Sequence, residues 1–561
     1  MTASLLLPPA FAVLLGAGLL TVVRGRLRAA VMLLAPLASL ALVWQMPDAS
    51  TVTAGYLGYD LILVRGDRLS RWFGTVFAIM SFAGGLFALK QESRLESVAA
   101  QVYAGGALGV VFAGDLLTTF VFWEIMALAS TAVVWSAGGA SRAAGLRYLL
   151  IHLVGGVLLM IGLAGEAQAT GSLAFKAMTP DTPARWLILA GFLINAGAPP
   201  LSAWLPDAYP QSSYSGMVVL SAFTTKTAVY VLLRGFPGAE ILIWVGLYMV
   251  FYGIVYAILE NDMRRILAYS IVNQVGFMVA GIGIGTELAL NGAASHAFAH
   301  IIYKALLLMS AGSVLYMTGK SKCTELGGLF RSMPLTTICG TVGALAISAF
   351  PLTSGFVTKS MISDAAGHEK LTLVWFLLAA GSAGVFLHAG IKFPWFVFFQ
   401  RDSGLRPADP PMNMRAAMLF FSLLCIMLGI APGLLYRWLP FGATYEPYTA
   451  DHVVTQLQLL LFSGLAFFML LGILRRTPTI TLDTDWFYRR AGAALASGAT
   501  RVAHVVWHNF AVGIRGLVDE TLSGISILAR QGILARAQAS GTMAMLALAL
   551  LAIYLVVEFV R

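Results

Sequence analysis

The sequence predicts an all-α protein that crosses a lipid bilayer many times, and three observations predict it. Apolar residues (Ala, Val, Ile, Leu, Met, Phe, Trp, Tyr and Cys) make up 59% of 561 residues and charged ones 11%. Soluble domains carry about 25% charge, so this chain has too few charges to cover a water-facing surface of its length. The mean hydropathy is +0.82, and the apolar residues fall into runs of about 20, the length that spans a bilayer core. Lys and Arg collect at the ends of those runs, as membrane insertion favours.

About 16 runs qualify as spans: 4–23, 27–46, 70–89, 97–114, 116–136, 146–166, 184–204, 213–235, 239–259, 265–285, 289–317, 334–362, 373–399, 414–436, 453–474 and 540–560. The first has no basic region before Leu5 and no small-residue cleavage site clear of it, so it reads as a retained span rather than a leader. Positive charge recurs in alternate loops: Arg24, Arg26 and Arg28; Lys90 and Arg94; Arg142 and Arg147; Arg264 and Arg265; Lys320 and Lys322; Arg475 and Arg476. These loops are expected on the cytoplasmic side, with the N-terminus outside.

Between the second and third spans, residues 50–67 are short, polar and rich in β-formers, and read as an external hairpin. The seventh span holds Pro199 and Pro200, and the twelfth holds Pro351 and Gly355. Proline removes a helix hydrogen bond that hydrocarbon does not replace. Two such breaks, five spans apart, point to inverted repeats with a site in each.

Residues 479–539 lack proline and mix Val502, Val505, Phe510 and Leu517 with Arg501, Arg515, Asp519 and Glu520. That pattern suits an amphipathic helix on the membrane surface, either continuous or broken at Gly498, Gly513 or Gly516. The resulting organisation is N-terminal spans with the hairpin (1–96), a first repeat (97–235), a second repeat (239–399), C-terminal spans (400–478), the amphipathic region (479–539) and a last span (540–561).

An ionised side chain at mid-bilayer costs at least about 2.5–3.5 kcal/mol, so each one must face an interior and is a functional candidate. Glu124, Lys226, Lys304, Lys359 and Lys392 lie within spans. Snorkelling, in which the head reaches the interface, is a weak alternative for Glu124, Lys226 and Lys304, which sit deep in their spans. It is stronger for Lys392 at a boundary. His296, His300 and Lys304 follow at intervals of four and share one helix face. Two histidines adjacent on one face do not supply both axial positions of a haem, so relaying protons suits them better. His152 stands alone as either a relay or a hydrogen-bonded core residue. The series as a whole suits a path for protons or other monovalent cations.

Other chemistries fit poorly. Cys323, Cys339 and Cys425 are far apart, which argues against a disulfide framework, a metal site or an iron–sulfur cluster. The net charge of +10 is explained by loop arginines and lysines, and no basic aromatic module for nucleic acid is present. No cofactor, metal or nucleic-acid partner is expected.

Six blocks now align with a known superfamily: GDLLTTFVFWEIMALAS (114–130), PLSAWLPDAYPQS (200–212), TTKTAVYVLLR (224–234), NDMRRILAYSIVNQVGFM (261–278), SHAFAHIIYKALLLMSAG (295–312) and FPLTSGFVTKSMI (350–362). In this order and spacing the chain resembles the antiporter-like subunits of respiratory complex I and of Mrp-type monovalent cation/proton antiporters, in particular the D-like subunits of the latter. The resemblance implies 14 or more transmembrane helices, two inverted five-helix repeats with a broken helix in each, and a central row of ionisable groups. By position Glu124 is similar to the family's glutamate. Lys226 is similar to the lysine of its eighth span, Lys304 to its central lysine, and Lys359 to the lysine of its second broken helix. TLDTDWFYRR (481–490) is similar to the opening of the lateral helix of the largest such subunits, expected here on the cytoplasmic side of a bacterial inner membrane.

One position departs from that pattern. Where the family carries a lysine in the first broken helix, this sequence has Asn195, so Glu124 lacks that neighbouring positive charge. Either the first half works differently, through His152, or it does not conduct, and the second half with Lys304 and Lys359 is the better candidate. The resemblance implies partner membrane subunits, with H⁺ and Na⁺ or K⁺ as the ions of an antiporter. Its alternatives are the proton-pumping arm of a complex I-like or hydrogenase-like oxidoreductase and the membrane subunit of an inorganic-carbon uptake complex.

Overall fold

A computed structural model describes residues 7–442, 444–477, 482–531 and 540–560. Two units are described separately, Met1–Asp485 and Trp486–Arg561.

The apolar runs become helices, and side-chain caps set the starts of several of them. The first unit opens with α1 (Pro9–Leu20) and α2 (Gly25–Gln45), followed by an antiparallel hairpin of β1 (Ser50–Tyr56) and β2 (Tyr59–Gly66). Next come α3 (Arg68–Phe87), α4 (Arg94–Phe112), α5 (Leu116–Trp135), α6 (Ser141–Thr170) and α7 (Pro183–Ala196). Asp67, Ser93, Asp115 and Thr182 accept from backbone N–H groups in the first turns of α3, α4, α5 and α7, satisfying donors that a bilayer would leave orphaned.

After the short α8 (Trp204–Ala208), one span is divided into α9 (Gly216–Leu220) and α10 (Thr224–Gly235). Then follow α11 (Ile241–Leu259), α12 (Met263–Ile284), α13 (Glu287–Thr318), α14 (Pro334–Ile347), α15 (Phe356–His368) and α16 (Thr372–Val385). The span of α16 continues through π-helical turns at Phe386–Lys392 and Trp395–Phe399. α17 (Met412–Ile430), α18 (Gly433–Tyr436), α19 (Ala450–Met469) and α20 (Leu471–Leu474) complete the unit.

Among the described residues, 13 helical segments are long and apolar enough to cross a membrane. Three shorter apolar helices, α1, α7 and α14, account for the other expected runs. The protein is therefore an all-α polytopic membrane protein. Its centre is made of α9–α10 and α12, whose most apolar windows are 100% buried, and α13, at 94%. α11 and α12 touch backbone to backbone: a Cβ on Gly246 would collide with Ala280 N, and one on Gly276 would lie 2.6 Å from Gly246 O. Such small-residue seams replace the hydrophobic effect as the means of packing helices in lipid.

The spans that carry Pro199–Pro200 and Pro351 are both interrupted, whereas α2 runs unbroken through Pro36. α7 ends at Gly197, which takes φ 81, so Pro199 and Pro200 fall outside any helical ladder, and the Ile194 carbonyl accepts from both Gly197 N at 3.1 Å and Trp204 Nε1 at 2.9 Å. α14 ends at Ile347, and the chain passes Ala349 (φ 56), Pro351 and Leu352 (φ 70) before α15. A Cβ on Gly355 would collide with Ala346 O, so only glycine fits there. Ser354 N donates to Cys425 O on α17 at 2.8 Å. This irregular backbone is buried in protein, the condition under which a membrane tolerates it.

In the second unit, a π-helical turn at Phe487–Gly492 leads into α21 (Ala493–Gln531), one helix of 39 residues, or about 58 Å at 1.5 Å per residue. Gly498, Gly513 and Gly516 lie inside it without breaking it, so the continuous alternative is the one adopted. α22 (Ser540–Val560) follows. The expected amphipathic region also includes 479–481 and 532–539, which lie outside the described residues.

Candidate functional site

The division between α9 and α10 has no Pro or Gly at its centre; a tyrosine makes it. Tyr103 Oη accepts from Thr224 N at 2.8 Å, pairs with Thr224 Oγ1 at 2.6 Å and reaches Leu220 O at 3.3 Å. The hydroxyl thus takes the place of a helical hydrogen bond, a known cause of helix interruption. The turn that results leaves Ser221 O available, and Lys226 Nζ donates to it at 2.7 Å and to Thr225 Oγ1 at 3.0 Å. The buried ammonium is held by a carbonyl that an unbroken helix would have used itself.

On α13, Lys304 Nζ donates to Ser270 Oγ of α12 at 2.8 Å. One and two turns before it stand His300 and His296, all three fully buried. His296 Nε2 lies 3.1 Å from Gln274 Oε1, to which Tyr303 Oη donates at 3.0 Å. Gln274 in turn donates to Asn273 Oδ1 at 2.5 Å. On the other edge, His296 Nδ1 is 3.5 Å from Thr358 Oγ1 of α15. Neither ring nitrogen of His300 has a hydrogen-bond partner among the described residues.

Lys359, one residue beyond Thr358, is 3% exposed. Its Nζ has no hydrogen-bond acceptor among the described residues and lies 5.1 Å from the centre of the Phe277 ring, a cation–π contact that partly offsets burial. It also lines a cavity of about 440 Å³ whose wall includes Asp364, His452 and Gln456.

These groups lie within electrostatic range of one another. The charge of Lys226 reaches His296, His300 and Lys304, and that of Lys359 reaches His296 and His388. His388 is a buried group that the sequence alone does not bring near these lysines. It is fully buried, its Nδ1 is 2.8 Å from Gly384 O, and the charges of Lys304, Lys392 and Lys359 all reach it. The one signal in the sequence is its place four residues before Lys392; what positions it is the π-helical turn, a feature common at functional sites.

Lys392 is placed differently from the others. It is 2% exposed, so it does not snorkel. Its Nζ donates to Ala257 O, Ile258 O and Glu260 O at 2.5, 2.8 and 2.6 Å, capping the C-terminal end of α11, where a cation is favoured.

The first half has a different character. Glu124 rests on α6, where a Cβ on Gly156 would collide with Glu124 Oε1, and that oxygen has no donor among the described residues. Asn195 is fully buried beside the same stretch, its Oδ1 3.6 Å from a Cβ built on Gly155, and neither atom of its amide is hydrogen-bonded to a described residue. His152, also on α6, is 2.8 Å from Tyr148 O through Nδ1, and its ring packs 3.9 Å from that of Tyr148. No ion pair to Glu124 is formed among the described residues. The charges of Lys226, Lys304 and Lys359 thus meet around His296 and His300, whereas Glu124 packs on α6.

Among the described residues no set of three His, Cys, Asp or Glu side chains is arranged to hold a metal.

A helical membrane protein with interrupted spans and a buried row of lysines and histidines is, by class, an ion-translocating membrane subunit. The family model described as "NADH:quinone oxidoreductase/Mrp antiporter, TM" matches residues 113–387. The chain is 31% identical over 361 residues to the NADH-quinone oxidoreductase subunit N of Desulforudis audaxviator (strain MP104C), covering 55% of this chain and 72% of that one. It is 30% identical over 358 residues to the A/B subunit of a probable K(+)/H(+) antiporter of Rhizobium meliloti (strain 1021), covering 59% of this chain and 36% of that relative, so it spans about a third of that relative's length. A chain of the Mrp complex from Dietzia sp. DQ12-45-1b shares the fold with a TM-score of 0.76 at 23% identity, covering 94% of this chain and 63% of that one. The chain belongs to the NADH:quinone oxidoreductase/Mrp antiporter family of membrane proteins.

Proposed function

We propose that the protein is the proton- and cation-translocating membrane subunit of a multi-subunit Mrp-type antiporter, exchanging H⁺ for Na⁺ or K⁺ across a bacterial inner membrane. The observation that carries this reading is the buried series on α12, α13 and α15: Ser270–Lys304, then His300, then Gln274–His296–Thr358, then Lys359. Lys304 and His296 are held by fixed partners, and His300 and Lys359, unpartnered among the described residues, stand between and beside them, free to take up or pass on a proton. The second half is the conducting one. In the first half, Asn195 offers Glu124 no charge partner, and translocation there is not needed for the reading. The amphipathic helix α21 lies on the cytoplasmic side, against partner subunits.

The test uses everted vesicles carrying this chain with its co-encoded subunits, in which an imposed ΔpH is dissipated by added Na⁺, K⁺ or Li⁺. Cation-dependent dissipation that disappears in Lys304→Ala and in Lys359→Ala supports the reading. A second reading, the proton-pumping arm of a redox enzyme, is favoured by the similarity to a quinone oxidoreductase subunit over 72% of that subunit's length. It prevails if no cation dissipates ΔpH while electron transfer to quinone drives proton uptake that the same two variants abolish.

A further inference from the structure

A second built feature lies away from the ion path, where the end of α2, the start of α3 and the end of α17 meet. A cavity of about 300 Å³ opens there, lined by both charged and apolar side chains. Its charged lining is Arg68, Arg71 and Arg437, against one carboxylate, Asp48. Asp48 is taken up by Arg71 at 2.9 Å. Arg68 and Arg437 are exposed and make no ion pair among the described residues. Arg71 is held in place by a bond to Met46 O at 2.8 Å.

Its apolar lining includes Trp72, Phe298 and Leu428. Two tryptophans flank the opening, Trp44 and Trp438, with ring centres 4.7 Å apart and planes at 84°. Arg71 lies 5.8 Å from the Trp44 ring and Arg437 5.7 Å from that of Trp438. Tryptophan and arginine at the ends of spans belong at the level of lipid headgroups, and basic pockets between spans select anionic ones.

We propose that this cavity seats one anionic phospholipid, with its phosphate between Arg68, Arg71 and Arg437 and the upper part of an acyl chain along Trp72, Phe298 and Leu428. Charge complementarity selects this occupant. Two arginines carry uncompensated charge, and a soluble anion would leave the apolar wall uncovered. A zwitterionic lipid would bring its own cation against the arginines.

The seat also backs onto the ion path. Trp72 Nε1 donates to Ala294 O at 2.9 Å, and Phe298 lies between His296 and His300 on the far side of α13. The lipid thus bears on the helix that carries the central lysine.

The experiment uses the full chain, purified in a neutral detergent with its co-purifying subunits. Thermal unfolding is followed with added phosphatidylglycerol, phosphatidylcholine or inorganic phosphate, and retained lipid is counted by native mass spectrometry. Phosphatidylglycerol is expected to raise Tm by a few degrees and to remain as a single adduct, with no comparable effect from phosphatidylcholine or phosphate. Arg68→Gln and Arg437→Gln should each reduce the shift, and together remove it, whereas Arg406→Gln on a distant loop should leave it intact. Equal shifts from the two lipids, a shift reproduced by phosphate alone, or a full shift in the double variant would each overturn the proposal. If the double variant does not fold, the single variants and the wild-type lipid comparison decide it.

Discussion

Lys304 donates to Ser270 across the seam between α13 and α12, at 2.8 Å, and among the described residues no other acceptor holds its ammonium. A hydrogen bond to a charged group contributes about 1.5–3 kcal/mol. Ser270→Ala is therefore expected to slow cation-dependent ΔpH dissipation about tenfold while Lys304→Ala abolishes it. A Ser270→Ala rate equal to wild type would show that this contact is not part of the path.

Tyr103→Phe is expected to heal the helix. Without the hydroxyl, Thr224 N returns to Leu220 O, the α9–α10 span closes, and Ser221 O is taken back from Lys226. Transport should fall while thermal stability stays within about 1 kcal/mol of wild type, because one backbone hydrogen bond replaces another. A fall in Tm that parallels the fall in rate would point to simple misfolding.

Glu124→Gln should leave the transport rate within about twofold of wild type, since that carboxylate forms no ion pair among the described residues and its Oε1 accepts no hydrogen bond from them. Asn195→Lys supplies a buried cation beside it. That variant should be tolerated with Glu124 present and lose about 3 kcal/mol in the Glu124→Gln background, the order of cost for an uncompensated buried charge. The check is a double-mutant cycle on thermal unfolding. Additive effects would mean that residues 124 and 195 do not face one another.

Asp67 gives a pH-dependent prediction. Its side chain caps α3 by accepting from Ser70 N at 2.8 Å, and Arg234 donates to it at 2.9 Å. Burial pushes its carboxyl up, but the Arg234 charge and the Ser70 bond outweigh that and hold it below the ordinary carboxylate range. A depressed folded value means stability that is present above the unfolded value of about 3.9 and lost as pH falls through the folded one. Asp67→Asn keeps a capping side chain but loses the ion pair. It should cost about 1 kcal/mol at pH 7, allowing for solvent screening, and the gap should narrow below pH about 4. Thermal unfolding at both pH values measures it, and a constant gap would exclude the ion pair as its source.

Lys392 and Arg476 share acceptors: both donate to Ile258 O and Glu260 O at the end of α11. Either single change to Met should cost about 1–2 kcal/mol, with the other donor remaining, and the double change clearly more than the sum. Unfolding of the four proteins gives the coupling, and strict additivity would show that the two act separately.

The helix class, the positions of nearly all the spans, the two interrupted helices and the buried Lys226, Lys304 and Lys359 were determined by the sequence alone. Each follows from a rule that acts locally: apolar length, the missing N–H of proline, and the cost of a charge in hydrocarbon. Tertiary structure decided what those residues do. The break that positions Lys226 is made by Tyr103, more than a hundred residues away, and no local pattern announces it. His388 is carried on a π-helical turn that no sequence period announces, and the acceptors that hold Lys392 come from the end of α11. The choice between one surface helix and several was likewise open, because glycine weakens a helix without forbidding it. Periodicity and composition report which groups must avoid lipid, but only packing reports which partner each one meets.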